Sequence, residues 1–301
     1  MVVFSASRAG ADPVLDARAL ALGGLAYADG ALPTALFFNP SLLAPLDSLK
    51  TSFTQNRLST AQFDFEAAGA FPLLQGISLG FGWAALEVQN QVQYGILRDS
   101  NGQIEVNPAN GQPLTQILGF FTQSDNTFFA AAAAQFGFFS LGAALKYELV
   151  DFGHTEGTGF GLDLSGTLRL SKSLRLALVM TDLGDRELHW NDGTPDRRVT
   201  GQWTAAAAWH FLDLGPVALT LEPGVRKDLW DELNIHYGGG LEASWMDQVF
   251  LRAGEDKGEA AFGVGLTAHP AKGFPELRVD YAYLDSAVNG YPSRLTLTAR
   301  W

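Results

Sequence analysis

The residues of this chain that could act as ligands, acids or nucleophiles are scattered. Its five histidines, His154, His189, His210, His236 and His269, form neither an i, i+4 pair nor a cluster, so no metal site is expected. Cysteine is absent, which rules out disulfides and thiolate ligands and suits an exported protein. Asn191-Asp192-Gly193-Thr194-Pro195-Asp196 and Glu255-Asp256-Lys257-Gly258 lack the ligand count of a calcium loop and read as turns. Gly80-x-Gly82 and Gly263-x-Gly265 precede no helix, so they are not phosphate loops. No Ser, His and acid set converges on one patch. Neither an enzyme nor a cofactor is expected.

The charged residues are more informative, because they recur at every second position. Asp64, Glu66, Lys146, Glu148, Asp163, Arg169, Arg175, Glu222, Arg226, Glu242, Arg278, Asp280 and Arg300 share faces with small polar residues, and the intervening positions are apolar. In 160–170 the even positions read Phe160, Leu162, Leu164, Gly166, Leu168 and Leu170, against Gly161, Asp163, Ser165, Thr167 and Arg169. The same alternation separates Phe139, Leu141, Leu145 and Tyr147 from Ser140, Lys146 and Glu148, and Leu233, Ile235, Tyr237 and Leu241 from Asn234, His236 and Glu242. Side chains alternate across a strand, so one face is oily and the other wet. Charges of both signs on an enclosed face are expected to pair, since a lone charge away from water is costly. That gives a lumen network of Lys146, Glu148, Asp163, Arg169, Glu222, Arg226, Glu242, Arg278 and Asp280.

The elements that hold such faces are strands of a transmembrane antiparallel β-barrel, an all-β fold. The chain is 47% apolar yet has no uninterrupted apolar run of the ~20 residues a helical span needs. Aromatics end the oily faces at Trp83, Tyr147, Trp203, Trp209, Trp245, Tyr281 and Tyr283, as interface girdles do. The pattern gives about fourteen strands between residues 50 and 301, an even number as bacterial barrels require. Short turns at Gly137, 171–173 and 246–247 fall at one end, and loops at 89–125 and 184–197 fall at the other. The net charge of -12 argues against a nucleic-acid partner. The expected surroundings are outer-membrane lipid and lipopolysaccharide.

Both ends of the chain differ from the rest. Residues 1–49 do not alternate and are expected to form a short helical or irregular periplasmic plug, with the remnant of a leader at about 1–11, ahead of the barrel at 50–301. Within it, Gly23-Gly24 allows positive φ or close approach, and Pro40 holds Asn39 extended. At the other terminus Leu295, Leu297, Ala299 and Trp301 share one face, an expected signal for outer-membrane assembly.

The run from Ala17-Arg18 through Gly23-Gly24 to Asn39-Pro40-Ser41-Leu42-Leu43 resembles the opening of the FadL and PorV/PorQ superfamily of outer-membrane proteins. Leu251-Arg252-Ala253-Gly254, Phe262-Gly263-Val264-Gly265-Leu266 and Asp280-Tyr281-Ala282-Tyr283 resemble the way PorV-like barrels end. The resemblance covers about a third of the chain, at its two ends. One departure is that Asp29-Gly30 and then Ala31-Leu32-Pro33 stand where the family commonly has an acidic pair. The PorV/PorQ side implies a scaffold or shuttle for protein secretion or surface attachment, with secretion-machinery subunits or exported proteins as partners. Compact length and the C-terminal motifs favour that side. The FadL side implies passive uptake of hydrophobic small molecules, with the plug holding a ligand before it leaves through the wall.

Overall fold

The computed structural model describes residues 14–57, 62–99, 101–108, 111–153, 155–229, 235–256, 258–270, 273–285 and 292–301. The leader remnant, His154, Leu233, Asn234 and Lys257 lie outside them. The strands are β1 (Lys50–Arg57), β2 (Gln62–Leu74), β3 (Ile77–Ile96), β4 (Thr115–Phe136), β5 (Phe139–Asp151), β6 (Glu156–Arg169), β7 (Leu174–Thr181), β8 (Arg186–Trp190), β9 (Arg197–Val199), β10 (Gln202–Asp213), β11 (Val217–Asp228), β12 (Ile235–Trp245), β13 (Val249–Asp256), β14 (Glu259–Ala268), β15 (Glu276–Asp285) and β16 (Ser293–Arg300). Leaving aside β8 and β9, the strands described form a closed antiparallel barrel of fourteen. The ring closes where β1 meets β16, in register from Lys50 opposite Arg300 to Arg57 opposite Ser293.

Alternation places the side chains as the sequence predicts. On β6, Phe160 is 74% exposed on the outer face, whereas Asp163 is 1% exposed inside. On β16, Leu295, Leu297 and the following Trp301 point outward, and Arg294, Thr296 and Thr298 are buried inside. Ala299 is half-buried on the outer face. We call the end where β1 starts and β16 finishes the terminal end, and the opposite one the hairpin end.

Two expected loops are largely strand. The 89–125 segment is not one loop, because β3 passes a bulge at Asn90 (φ 58°) and continues to Ile96, pairing with β4 from Thr115. The 184–197 segment holds the hairpin β8–β9, which joins β6 at Gly157 to Gly159. The register shifts between Val88 and Gln91, and the polar run Gln89-Asn90-Gln91 at that bulge reads as a loop in the sequence.

Residues 14–46 run inside the barrel. Asp16 caps the one-turn helix α1 (Ala17–Ala21), its carboxylate accepting the Ala19 N–H at 2.7 Å. Gly23 and Gly24 leave that helix at φ 74° and 67°, and two 3₁₀ turns follow at Pro33–Phe37 and Pro40–Leu43. Leu22, Leu25, Tyr27, Leu36, Phe37, Phe38 and Leu43 are all buried, each gaining about 1.5–3 kcal/mol by leaving water. The wall makes room by omitting side chains on its inner face. A Cβ on Gly142 would sit 2.2 Å from the Ser41 nitrogen, and one on Gly254 would sit 2.4 Å from the Gly23 nitrogen.

Gly142→Val should therefore leave the barrel closed but displace the Pro40–Leu43 turn. Unheated gel mobility should be preserved, and the thermal midpoint should fall. An unchanged midpoint would show that the turn does not lie against β5.

Candidate functional site

Asn39 fastens the N-terminal segment to the wall. Its side-chain amide donates to the Tyr27 carbonyl at 2.6 Å and to Thr167 at 3.2 Å. Its side-chain oxygen accepts from the Ser41 N–H at 3.1 Å and the Ser41 hydroxyl at 2.6 Å. The Ser41 N–H also reaches Ser165 on β6 at 2.9 Å. Pro40 begins the turn that aims these groups. An apolar residue at 39 would leave the Tyr27 carbonyl, at full burial, without this donor, and such losses cost about 1–3 kcal/mol.

Charge does the second fastening. Arg18 ion-pairs with Glu222 on β11 and, at 3.2 Å, with Glu242 on β12, and it donates to the Asp29 carbonyl at 3.2 Å. Glu242 also takes Arg252 at 2.6 Å, Arg252 takes Asp280 at 2.8 Å, and Arg278 takes Asp280 at 2.7 Å. One chain of alternating charge thus links the N-terminal segment to β11, β12, β13 and β15. Asp29 pairs with Arg175 on β7 and lies 3.4 Å from His210 on β10. Burial alone would raise the Asp29 pKa, but the His210 hydrogen bond and the Arg18 and Arg175 charges hold it well below the usual carboxylate range. Arg226 donates to the Gly24 carbonyl at 2.8 Å.

Above this segment, toward the hairpin end, β5 carries two further layers. Lys146 bridges Asp163 at 2.8 Å and Asp182 at 2.7 Å, and Arg186 holds Glu148 at 2.8 Å. Next, Val150 near the end of the strand and Phe152 just past it form an apolar cluster with Leu188 and Val199 from the β8–β9 hairpin, joined by Phe121 and Trp190. The Phe152 and Trp190 rings stack at 5.4 Å. Beside them Asp192 accepts from Thr194 and Thr155, which brings its pKa down to about 2. Among the described residues no group of His, Asp and Glu is placed to hold a metal ion.

The expected network is therefore split in two. Glu222 and Glu242 meet through Arg18, and Arg252 joins Glu242 to Asp280 and its partner Arg278, while Lys146, Glu148 and Asp163 form a separate layer. Arg226 serves a backbone carbonyl instead. Arg169 is a correction: at the last position of β6 it is exposed at the rim and joins none of these pairs. Sequence reasoning missed Arg252, Arg186, Asp182 and Arg294, the last facing Asp64 and Glu66 at 3.6 Å. Arg252 could have been found, since it alternates with outward Leu251 and Ala253 as its neighbours on β12 do.

No family model matches the sequence, and no curated protein does either. Solved structures do match in fold. The toluene transporter TodX of Pseudomonas putida aligns over 98% of this chain and 98% of its own at TM-score 0.60 and 10% identity. A FadL homologue of Pseudomonas aeruginosa aligns over 96% and 99% at TM-score 0.59 and 10% identity. The toluene transporter TbuX of Ralstonia pickettii aligns over 96% and 98% at TM-score 0.55 and 13% identity. A secretion scaffold is not among these three.

The pairing geometry sets an expectation for Arg18→Met, which leaves two glutamates buried beside an apolar side chain. Breaking a buried ion pair from one side costs about 3–5 kcal/mol, so the thermal midpoint should drop sharply. The triple variant with Glu222→Gln and Glu242→Gln should recover much of it. Equal midpoints for the single and triple variants would contradict the pairing. The fold that carries these residues is that of the FadL-like outer-membrane barrels.

Proposed function

We propose that the protein is a FadL-like passive channel of the bacterial outer membrane that admits hydrophobic small molecules, with its hairpin end outside and its terminal end in the periplasm. The observation that supports this most is the order of layers along β5. An apolar cluster around Phe152 and Trp190 lies nearest the outside, ion pairs at Lys146 and Glu148 come next, and the N-terminal segment follows against Gly142. A lumen filled in this way suits a solute that partitions onto apolar surface better than one that needs an open column of water. The fold likeness to two toluene transporters supports the same reading and favours it over a secretion scaffold.

Expression in an outer-membrane-bearing host should raise the initial rate of labelled toluene uptake. Replacing Phe152 and Trp190 together by Asp should return it to the background rate. Unchanged uptake on expression, together with loss of exported surface proteins in a deletion strain of the source bacterium, would favour the scaffold instead. The outward row ending in Trp301 fits the proposed assembly signal, so Trp301→Asp should lower the amount of folded protein in the outer membrane. Undiminished levels would remove that role.

A further inference from the structure

Within the lumen most cations meet a carboxylate, but one at the terminal mouth does not. Lys50, the first residue of β1, faces inward, donates to the Ala31 carbonyl at 2.8 Å and makes no ion pair among the described residues. Three carboxylates lie near it, Asp247 on the cavity wall and two that are engaged by others. Asp47 holds Arg300 at 2.8 Å, and Glu276 holds His269 at 2.9 Å with Arg300 at 3.9 Å. In the sheet register Lys50 stands directly opposite Arg300. Like charges in that position repel, and an anion seated between them reverses the sign of the interaction. A cavity of about 400 Å³ opens at this place, lined by Lys50, Arg278 and Arg300, by the carboxylates of Asp247 and Glu276, and by Leu32 and Phe250. It is notable that cations collect here in a chain whose net charge is -12.

We propose that this cavity is a binding site for a small oxyanion, with Lys50 and Arg300 as its principal contacts. Arg300 gives Nε to Ser48 and Nη2 to Asp47, which leaves its Nη1 for an anion, and Lys50 adds a compact charge. Both groups have a hold on the N-terminal side of the mouth, Lys50 through the Ala31 carbonyl and Arg300 through Asp47 and Ser48. A bound oxyanion therefore ties the Ala31–Leu32 stretch to the start and finish of the wall. The site is separate from the apolar cluster at the hairpin end and does not depend on what that cluster admits.

The test is titration calorimetry on the full chain purified in detergent, with inorganic phosphate, benzoate and toluene as probes. The expected result is saturable binding of phosphate, benzoate or both, one per chain, and none of toluene at this site. Tighter binding of benzoate than of phosphate assigns a carboxylate carried on an apolar body, and the reverse order assigns a free anion. Lys50→Met should weaken the binding at least about tenfold, the order expected when one side of a charge pair is removed, and Lys50→Arg should restore it. Unheated gel mobility checks that each variant is folded. Binding of neither anion to the parent chain, or equal binding by the parent and Lys50→Met, would overturn the site while leaving the uptake reading untouched.

Discussion

A backbone that crosses hydrocarbon has to satisfy all its own hydrogen bonds, and the rest of this structure follows from that requirement. A sheet meets it only by closing, so β1 must find β16. Closure has a geometric consequence. A ring of fourteen strands encloses more space than the side chains of its own wall fill, and something must either hold water there or displace it. Here the N-terminal segment displaces it, placing Leu22, Leu25, Leu36, Phe37 and Leu43 where an open pore would have solvent.

The wall and the segment inside it are matched by subtraction as much as by addition. Glycines at 82, 142, 240 and 254 bring the wall backbone into contact with the segment, because any Cβ there would overlap it. Polar groups then fix the position that packing alone would leave loose. Arg18 suits this place because one guanidinium reaches Glu222, Glu242 and the Asp29 carbonyl together, as a lysine's single ammonium could not. Asn39 plays the same part for neutral groups, acting as donor and acceptor at once. These contacts reach different parts of the wall, β11 and β12 for Arg18 and β6 for Asn39, three and four strands apart around the ring, so the segment is held at two places.

Much of the wall was legible because the membrane imposes a strict period of two. Phe160 and Asp163 report their faces without ambiguity, and the strand count of fourteen follows from the number of such runs. The signal weakens where the strands are interrupted. The polar run Gln89-Asn90-Gln91 lies at a bulge of β3, and the β8–β9 hairpin is split by the turn residues 191–196, so both segments read as loops although they stay in the sheet. The residues of the lumen were legible as a face but not as partners. That Lys146 meets Asp163 follows from neighbouring strands, whereas the meeting of Arg18 with Glu222 joins residues 204 apart in sequence and depends on how the segment threads the ring. Between a secretion scaffold and a transporter of small molecules, length and terminal motifs favour the scaffold. The fold comparison spans 98% of the chain and not its ends alone, and what it shows is the fold.

The central claim is that the lumen is closed to ions by the N-terminal segment. Ionic conductance in planar bilayers tests it most directly, comparing the intact chain with one lacking residues 14 to 46. The account predicts almost no steady current from the intact protein and stable open steps from the shortened one. Equal conductance from the two, whether high or low, would contradict it.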